Sequence, residues 1–236
     1  MSVDLPGCAV LGSGTMGGQI ALSLSLGGAN VVLWGRGHQS LASASERCAE
    51  EFEFLTRQGL AEPVDREAVL SRIGTTTDLA QAVAGGAFVI EAVTEDIALK
   101  QSLLSRAEAV AAKTAILAST TSALSATELQ SVLKRPGNFC LAHYAQPAQL
   151  VELVEVVPGK ETSRATVDEV TRILNVTGKI PVECPDIPGF LWARIQQAVL
   201  REFASLVGQG LVTPEACDTI LKVGYASRLP AMGAFE

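Results

Sequence analysis

The chain has 236 residues, of which 48% are hydrophobic and 18% are charged, so it is long and apolar enough to bury a large core. The formal net charge of −7 disfavours nucleic acid as a partner, and no apolar run reaches the ~20 residues that a membrane span needs. Because the sequence also lacks a basic and apolar leader, we expect a cytoplasmic protein with no membrane partner.

The first predicted strand, residues 8–11, runs directly into a Gly-x-Gly-x-x-Gly turn and then into apolar residues at helical spacing. In such a strand-turn-helix unit the first glycine allows a tight turn, the second lets a pyrophosphate approach the backbone, and the third lets helix and strand pack closely. The start of the helix offers free N–H groups to the phosphates. The predicted cofactor-binding positions in this unit are Gly12, Gly14, Thr15, Met16 and Gly17.

Strand-length apolar runs alternate with helical stretches along most of the chain. The further predicted strands are residues 31–34, 88–91, 115–118, 139–142, 150–157 and 180–184. The predicted helices are residues 16–27, one or two helices within 40–71 broken near Pro63, residues 96–113, and a helix beginning at the capping box of Ser125 and Glu128. This alternation predicts the α/β class, with a Rossmann-type, doubly wound and mostly parallel sheet.

From residue 186 onward the pattern becomes helical, with predicted helices at residues 190–207 and 214–223. The sequence therefore predicts a dinucleotide-binding domain over residues 1–185 and a short, all-helical C-terminal segment over residues 186–236. A segment of about 50 residues is small for an independent core, so we expect it to pack on the first domain or on another subunit.

Polar residues follow several of the predicted strands, and the carboxyl ends of parallel strands meet at one edge of a sheet. His143 follows one strand, and Glu155 lies within the apolar run 153–157, where alternation directs its side chain inward. A buried carboxylate needs a partner, and an imidazole held by a carboxylate suits proton transfer to or from an alcohol. The alternative is a surface histidine beside a solvent-facing strand edge.

Five motifs occur in an order that resembles the L-3-hydroxyacyl-CoA dehydrogenase family, which includes related hydroxy acid dehydrogenases and the lens λ-crystallins. The motifs are residues 10–17, 89–95 with Lys100, 116–122, 143–147 with 153–157, and 178–179 with 186–190. The resemblance implies an oxidoreductase that transfers hydride between a nicotinamide cofactor and a 3-hydroxyacyl substrate of the CoA type. It also implies a homodimer formed through the helical C-terminal segment.

The resemblance assigns roles to individual residues. His143 is similar to the family's general base, Glu155 to the carboxylate that orients it, and Ser122 to the hydrogen-bond partner of the substrate oxygen. Glu95 and Lys100 match positions near the nicotinamide half of the cofactor. For Ser122 an ordinary loop serine is the alternative.

The end of the second strand departs from the pattern of an NAD-binding chain. Such a chain carries an acidic residue there for the ribose hydroxyls, whereas this one reads Trp34-Gly35-Arg36. A guanidinium suits a 2′-phosphate, so we expect NADP as the cofactor, with NAD as the alternative. Arg36 as a solvated residue that stacks on adenine without selecting either cofactor is the second interpretation.

Other departures concern the substrate. Ala193 replaces an asparagine of the family, Gln146 replaces another, and the lysines that acyl-CoA enzymes carry after the second strand are absent from a region that contains Glu50 and Glu53. An acidic helix would repel coenzyme A phosphates, so a small free hydroxy acid is an alternative substrate. A cofactor-binding protein with little catalysis is another alternative.

The cysteines indicate neither a disulfide framework nor a metal site. Five cysteines are scattered along the chain, and only two histidines accompany them. No Cys-x-x-Cys pair is present. Cys8 and Cys140 lie in strand-like runs, where we expect a free thiol to behave as a small buried hydrophobic group.

Overall fold

The computed structural model describes residues 5–235, so residues 1–4 of the predicted first domain and the last residue, Glu236, lie outside the described residues. A single sheet forms its centre. The strands are β1 (Cys8–Leu11), β2 (Val31–Trp34), β3 (Ile73–Thr76), β4 (Phe88–Glu91), β5 (Ile116–Ser119), β6 (Phe139–Tyr144), β7 (Leu153–Pro158) and β8 (Ile180–Glu183).

Helices connect the strands and follow the last one. They are α1 (Thr15–Leu26), α2 (His38–Arg57), α3 (Arg66–Ser71), α4 (Leu79–Ala84), α5 (Ile97–Val110), α6 (Ala126–Gln130), α7 (Arg164–Val176), α8 (Trp192–Gly208), α9 (Pro214–Thr219) and α10 (Ala226–Arg228). Short 3-10 turns occupy Pro63–Asp65 and Pro136–Asn138, and Ile220–Tyr225 is π-helical.

The strands lie in the order β3-β2-β1-β4-β5-β6-β7-β8. All neighbours pair in parallel except β6 and β7, which are antiparallel. The order reverses between β1 and β4, which is the switch point where ligands bind in open α/β sheets. The predicted Rossmann-type, mostly parallel sheet is confirmed.

Helices cover both faces of the sheet, so its central strands are buried on each side. Alternation along β1 directs Val10 to the face covered by α1 and α7, and Ala9 and Leu11 to the face covered by α4, α5 and α6. This two-sided burial explains why the central strands read as continuous apolar runs in the sequence rather than as alternating ones.

Two glycines allow the close approach of backbone segments at the switch point. The φ angle of Gly12 is 136°, and a Cβ added there would lie 2.4 Å from the carbonyl oxygen of Ala92. A Cβ added at Gly17 would lie 1.7 Å from the carbonyl oxygen of Gly12. Side chains at these positions would separate β1 from the loop after β4 and from α1.

Three elements were not anticipated from the sequence. Strand β3 is a short, partly exposed edge strand whose Ile-Gly-Thr-Thr sequence carries no apolar run. Helix α4 has only six residues, and α7 lies in a region for which no helix was predicted. Strand β6 is also longer than predicted, so His143 lies within the strand rather than after it.

The chain divides into two compact units after Phe190. The described residues of the second unit form no strand and contain α8, α9, the π-helical stretch and α10, as predicted for the C-terminal segment. The boundary between residues 185 and 186 and the naming of the two domains stay predictions. No helix among residues 5–235 combines the length and hydropathy that a membrane-spanning segment requires.

Replacing Gly17 with alanine should lower the free energy of unfolding by about 2 to 3 kcal/mol, because the new methyl group would overlap the Gly12 carbonyl and push α1 away from β1. Gly18→Ala is the matched control, since the nearest atom to its added Cβ is the Cys48 Sγ at 3.7 Å. The free energy of unfolding of the Gly18→Ala variant should rise by up to about 1 kcal/mol, because alanine has a higher helix propensity than glycine. Denaturant unfolding measures both, and equal stabilities would contradict this account.

Candidate active site

The turn after β1 presents an open helix N-terminus. Helix α1 begins at Thr15, its N-cap is Gly14, and no side chain caps it. A Cβ added at Gly14 would meet nothing within 4 Å, in contrast to Gly12 and Gly17. Arg47 of α2 donates from Nη2 to the Ser13 carbonyl oxygen at 2.9 Å and so fixes the turn. The free N–H groups and the open space at Gly14 together fit a phosphate group.

A cleft of about 520 Å³ lies beyond the carboxyl ends of β1, β2 and β4. Its lining includes the glycine turn, the segment 34–36, the segment 92–94 and one face of α5. No aspartate or glutamate among the described residues lines this cleft, and its charged lining residues are Arg36 and Arg106. Both guanidinium groups lack a hydrogen-bond or ion-pair partner within residues 5–235. The cleft therefore fits an anionic dinucleotide.

Gly35 stands at the end of β2, where an acidic residue would contact ribose hydroxyls. A Cβ added there would lie 2.7 Å from the Ser13 Oγ and 2.9 Å from Leu41 Cδ2. Ser13 Oγ in turn donates to Ser40 Oγ at 3.1 Å. The packing of these side chains leaves no room for a carboxylate at this position unless they shift.

His143 and Glu155 meet across the antiparallel pair of β6 and β7, where they are directly opposite in register. The Nδ1 of His143 lies 2.7 Å from Oε2 of Glu155, and the side chains are 12% and 2% exposed. This geometry confirms the predicted inward direction of Glu155. Since Nδ1 faces the carboxylate, Nε2 is the ring nitrogen left to exchange a proton with a substrate.

Two further side chains contact this pair from the segment after β8. The ring of Phe190 packs against the His143 ring, with centroids 5.5 Å apart and planes inclined by 58°. The Sγ of Cys184 lies 3.6 Å from Oε1 of Glu155 and 3.4 Å from the Val182 carbonyl oxygen. Burial, together with the charge of Glu155, raises the pKa of Cys184 to about 12, so the thiol keeps its proton and donates it.

Ser122 lies in the loop after β5. Its side chain is exposed and makes no hydrogen bond within residues 5–235. The same loop is tied to the end of β6, because Thr120 Oγ1 accepts a hydrogen bond from the Tyr144 backbone N–H at 3.2 Å. The loop that carries Ser122 is therefore anchored beside the strand that carries His143, as the sequence predicted for neighbouring strand ends.

Glu95, in the loop after β4, and Lys100, in the first turn of α5, lie close together. Lys100 Nζ is 3.2 Å from Glu95 Oε2, but the Lys100 side chain is only 1% exposed. Its principal partner is Glu91, whose Oε1 lies 2.8 Å from Nζ. Lys100 is thus buried in a polar network, and Glu95 is the partly exposed member of it.

The loop after β6 is held by buried polar groups that the sequence reasoning overlooked. Lys179 donates from Nζ to the carbonyl oxygens of Ala148 at 2.6 Å and Val151 at 2.9 Å. Burial lowers the pKa of Lys179. Gln19 of α1 accepts a hydrogen bond from the Ala148 backbone N–H at 3.2 Å. These contacts fix the loop after β6, which contains Gln146 and follows His143 closely in the chain.

Other residues of the site were also missed, and some left a signal in the sequence. Glu91 ends an otherwise apolar central strand, and Ser119 ends the next one, which is an unusual position for polar groups in a buried sheet. Arg106 left no such signal, because an arginine on a helix is ordinarily solvated. The sequence around Cys184 also gives no signal that separates it from the other scattered cysteines.

Asp186 holds the segment after β8 onto the N-terminus of α6. Its carboxylate accepts hydrogen bonds from Ser125 Oγ at 2.7 Å and from the backbone N–H groups of Ala126 at 3.0 Å and Thr127 at 2.9 Å. Burial acts to raise the pKa of Asp186, but the hydrogen bonds from these three residues outweigh burial and hold that pKa below its usual value. The predicted cap is also formed, since Ser125 accepts from the Glu128 N–H.

Known proteins resemble this chain over most of its length. Residues 7–187 match the family described as 3-hydroxyacyl-CoA dehydrogenase, NAD binding domain. The chain is 35% identical over 215 residues to a protein of Deinococcus radiodurans named probable 3-hydroxybutyryl-CoA dehydrogenase, covering 91% of this chain and 77% of that relative. It is 34% identical over 232 residues to the mitochondrial hydroxyacyl-coenzyme A dehydrogenase of Sus scrofa, covering 96% of this chain and 73% of that relative.

A solved structure shows the same likeness in three dimensions. The (S)-3-hydroxybutyryl-CoA dehydrogenase from Ralstonia eutropha superposes with a TM-score of 0.89 at 29% sequence identity, covering 94% of this chain and 78% of that one. These similarities confirm the resemblance inferred from the five sequence motifs.

Asp186→Asn should destabilise the protein by roughly 1 kcal/mol at neutral pH, by analogy with helix-capping carboxylates. Because the pKa of Asp186 is lowered in the folded protein, its contribution is fully present above the unfolded value of about 3.9 and is lost as pH falls through the lower folded value. The difference between parent and variant should therefore shrink in acid. Denaturant unfolding at several pH values measures it.

The control for this change is Asp168→Asn, which removes an exposed carboxylate paired with Arg164 on α7. Exposed pairs of this kind contribute less than about 1 kcal/mol. If the stability difference between the parent and Asp186→Asn stayed constant as the pH was lowered into the acid range, the charge of Asp186 would not contribute to stability.

Proposed function

The chain belongs to the 3-hydroxyacyl-CoA dehydrogenase family, and from that premise we propose that it is a dehydrogenase acting on a 3-hydroxyacyl group, with His143 as its general base. The observation that carries the proposal is the 2.7 Å contact between His143 Nδ1 and Glu155 Oε2 at the carboxyl end of the sheet. A carboxylate-held imidazole on β6, two strands along the sheet from β4 at the edge of the cleft, suits the oxidation of an alcohol.

His143 performs the proton transfer in this proposal. Its Nε2 takes the proton of the substrate hydroxyl as hydride leaves the adjacent carbon, and returns a proton to the oxygen when a 3-oxo group is reduced. The nicotinamide cofactor, when bound, accepts or supplies that hydride. General acid-base catalysis of this kind contributes about 10² to 10⁴ in rate.

Glu155 and Phe190 set the state of the imidazole. The carboxylate of Glu155 accepts the Nδ1 proton, which fixes the tautomer with Nε2 as the base and stabilises the imidazolium that forms. Phe190 packs against the ring and restricts its rotation and its contact with water. Glu155 therefore acts as a positioning residue through His143.

Ser122 is proposed to donate a hydrogen bond to the substrate oxygen. Its hydroxyl is exposed in the loop after β5, and this loop is fixed to β6 through Thr120 and Tyr144. A hydroxyl donor at this place would stabilise the negative charge that develops on the substrate oxygen in the transition state.

The proposed cofactor site consists of the glycine turn and the cleft. The backbone N–H groups at Thr15 and Met16 would face the pyrophosphate, and Gly14 would leave room for it. Gly12 and Gly17 allow the turn to pack against the loop after β4 and against α1. Glu95, beyond β4, would face the ribose nearer the nicotinamide. The chain carries the family's NAD-binding domain over residues 7–187.

We propose that the preferred cofactor is NADP. Three observations support this preference: the lack of a lining carboxylate, the exposed guanidinium of Arg36, and the packing of Ser13 and Leu41 against Gly35. Arg106 adds a second positive charge to the same cleft. An additional phosphate at the 2′-oxygen would be attracted to these groups rather than repelled.

The proposed substrate is an acyl-CoA thioester, in keeping with the names of the relatives. A free hydroxy acid is the second candidate, and the charge of α2 favours it. The helix carries Glu46, Glu50, Glu51 and Glu53 against only two arginines, Arg47 and Arg57. A helix of this charge would repel the phosphates of coenzyme A if they lay against it.

His143→Gln should lower kcat/KM by at least about 100-fold while leaving cofactor affinity unchanged, because glutamine fills a similar space but cannot act as a base at neutral pH. The reaction is followed by the absorbance of the reduced nicotinamide, with 3-oxoacyl-CoA thioesters and free 3-oxo acids as substrates.

The other histidine of the chain, His38, supplies the control. It is exposed at the start of α2, so His38→Gln should retain the activity of the parent. A His143→Gln variant as active as the parent would disprove the proposed base. If the protein bound the cofactor tightly but turned over no substrate in the panel, it would be a cofactor-binding protein and not a dehydrogenase.

Arg36→Ala should weaken NADPH binding by about 10-fold and NADH binding by less than about 2-fold, because only NADPH carries the 2′-phosphate that the guanidinium would pair with. Quenching of protein fluorescence or calorimetry gives both dissociation constants. Arg164→Ala is the control, since Arg164 is exposed on α7 and does not line the cleft. An equal loss for the two cofactors would remove the argument for NADP.

A further inference from the structure

The two oxygens of the Glu155 carboxylate face side chains from opposite directions along the sheet. Strand β7, which carries Glu155, lies between β6 and β8. On the β6 side, Oε2 lies 2.7 Å from His143 Nδ1, and on the β8 side, Oε1 lies 3.6 Å from the Sγ of Cys184. Glu155 and Cys184 are both buried. The mechanism proposed for His143 gives this thiol no role.

The register of β7 and β8 places Cys184 on the same face of the sheet as Glu155. Val182 is the partner of Glu155 in the parallel pair, and Cys184 follows it by two residues. Side chains two residues apart along extended backbone point to the same face. The backbone N–H of Cys184 also donates to the Val156 carbonyl oxygen at 2.9 Å, so the pairing continues through Cys184. The thiol therefore extends toward the carboxylate from a fixed backbone.

The chain is fixed again shortly after Cys184. Asp186 accepts a hydrogen bond from Ser125 Oγ at 2.7 Å, and Phe190 packs against the His143 ring. Cys184 thus lies between the β7–β8 pairing and the contact with α6. A side chain held in this way loses little further conformational freedom when it makes a hydrogen bond.

The thiol is a hydrogen-bond donor at neutral pH, since burial raises the pKa of Cys184 to about 12. It has one proton and two acceptors within reach, Oε1 of Glu155 at 3.6 Å and the Val182 carbonyl oxygen at 3.4 Å. The carboxylate carries a negative charge and the carbonyl does not, and hydrogen bonds to ionised acceptors are the stronger ones. The carboxylate is therefore the favoured acceptor.

A weak donor suits this position. Glu155 must keep its negative charge to stabilise the imidazolium that forms on His143. A strongly positive donor beside Oε1 would offset that charge, whereas a thiol is only a weak donor. The thiol also behaves as a small hydrophobic group, so it packs beside Phe190 without introducing water.

We propose that Cys184 is a positioning residue for the proton transfer, whose S–H group donates to Oε1 of Glu155 and holds the carboxylate so that Oε2 faces His143 Nδ1. This proposal rests on the proposed function of His143 and Glu155. Cys184 acts through Glu155, contacts neither substrate nor cofactor and is not itself changed by the reaction.

A pair of substitutions separates the donor from the packing of the side chain. Cys184→Val removes the donor and keeps a side chain of similar size, so kcat should fall about 3- to 5-fold while KM stays within about 2-fold of the parent. Cys184→Ser keeps a donor and should recover most of the lost kcat. A serine variant as slow as the valine variant would overturn the proposal.

A double-mutant cycle tests whether Cys184 acts through the carboxylate. In a Glu155→Gln background, Cys184→Val should lower kcat by less than about 2-fold, because the charged acceptor is already absent. An equal loss in both backgrounds would show that the thiol acts by another route, and that result would also overturn the proposal.

Cys8 supplies the matched control. Its thiol is buried at the start of β1, at the edge of the sheet opposite the carboxyl ends of the parallel strands, and donates to the Pro6 carbonyl oxygen at 3.5 Å. Cys8→Val should lower the melting temperature and leave kcat unchanged. If it lowered kcat as much as Cys184→Val does, the effect at Cys184 would be one of packing alone and the proposal would fail.

Infrared spectroscopy tests the hydrogen bond without substrate or cofactor. The S–H stretching band lies apart from other protein bands and moves to lower frequency as the hydrogen bond becomes stronger. The difference spectrum between the parent and Cys184→Val isolates the band of Cys184 from those of the other cysteines. In the Glu155→Gln background this band should move to higher frequency, because a neutral amide is a weaker acceptor.

The infrared result is independent of the proposed function. An unchanged band in the Glu155→Gln background would assign the proton to the Val182 carbonyl oxygen and overturn the proposal, even in an active dehydrogenase. If the parent catalysed no hydride transfer, the proposed function would fail, and the shift of the band would still show whether the thiol holds the carboxylate.

Discussion

The approach of α1 to the turn after β1 is the constraint on which the rest of the site depends. It brings Gly17 against the Gly12 carbonyl and Gly12 against the Ala92 carbonyl, so the helix N-terminus and the loop after β4 converge at the switch point. Without these contacts the glycine turn and the loop after β4 would no longer line one cleft. The geometry of the cleft therefore depends on backbone packing at these glycines.

The antiparallel pairing of β6 and β7 determines which residue lies opposite His143. If β7 were parallel to β6, the residue beside His143 would lie near the carboxyl end of β7. Here β7 runs the other way, so Glu155 stands near its start, directly opposite His143 and buried under the segment after β8. A carboxylate in this position is desolvated and paired, which is what a fixed imidazole tautomer requires.

Much of this arrangement can be predicted from the sequence. The central strands are buried on both faces and therefore appear as apolar runs, and the glycine turn marks the connection from β1 to α1. The inward direction of Glu155 follows from alternation alone. Edge strand β3 could not be predicted in this way, since Ile73 is the only large apolar residue in it and its pairing with β2 decides its conformation. The burial of Lys100 was equally inaccessible, because a lysine on a helix reads as solvated until its partner at the end of β4 is known.

The cation-lined cleft has a consequence for how a dissolved coenzyme reaches it. The chain as a whole carries a net charge of −7, so its far field repels an anion. At physiological ionic strength that field decays within about 8 Å, whereas Arg36 and Arg106 act at the mouth of the cleft itself. Capture is then governed by short-range attraction after random encounter, and long-range steering contributes nothing in its favour.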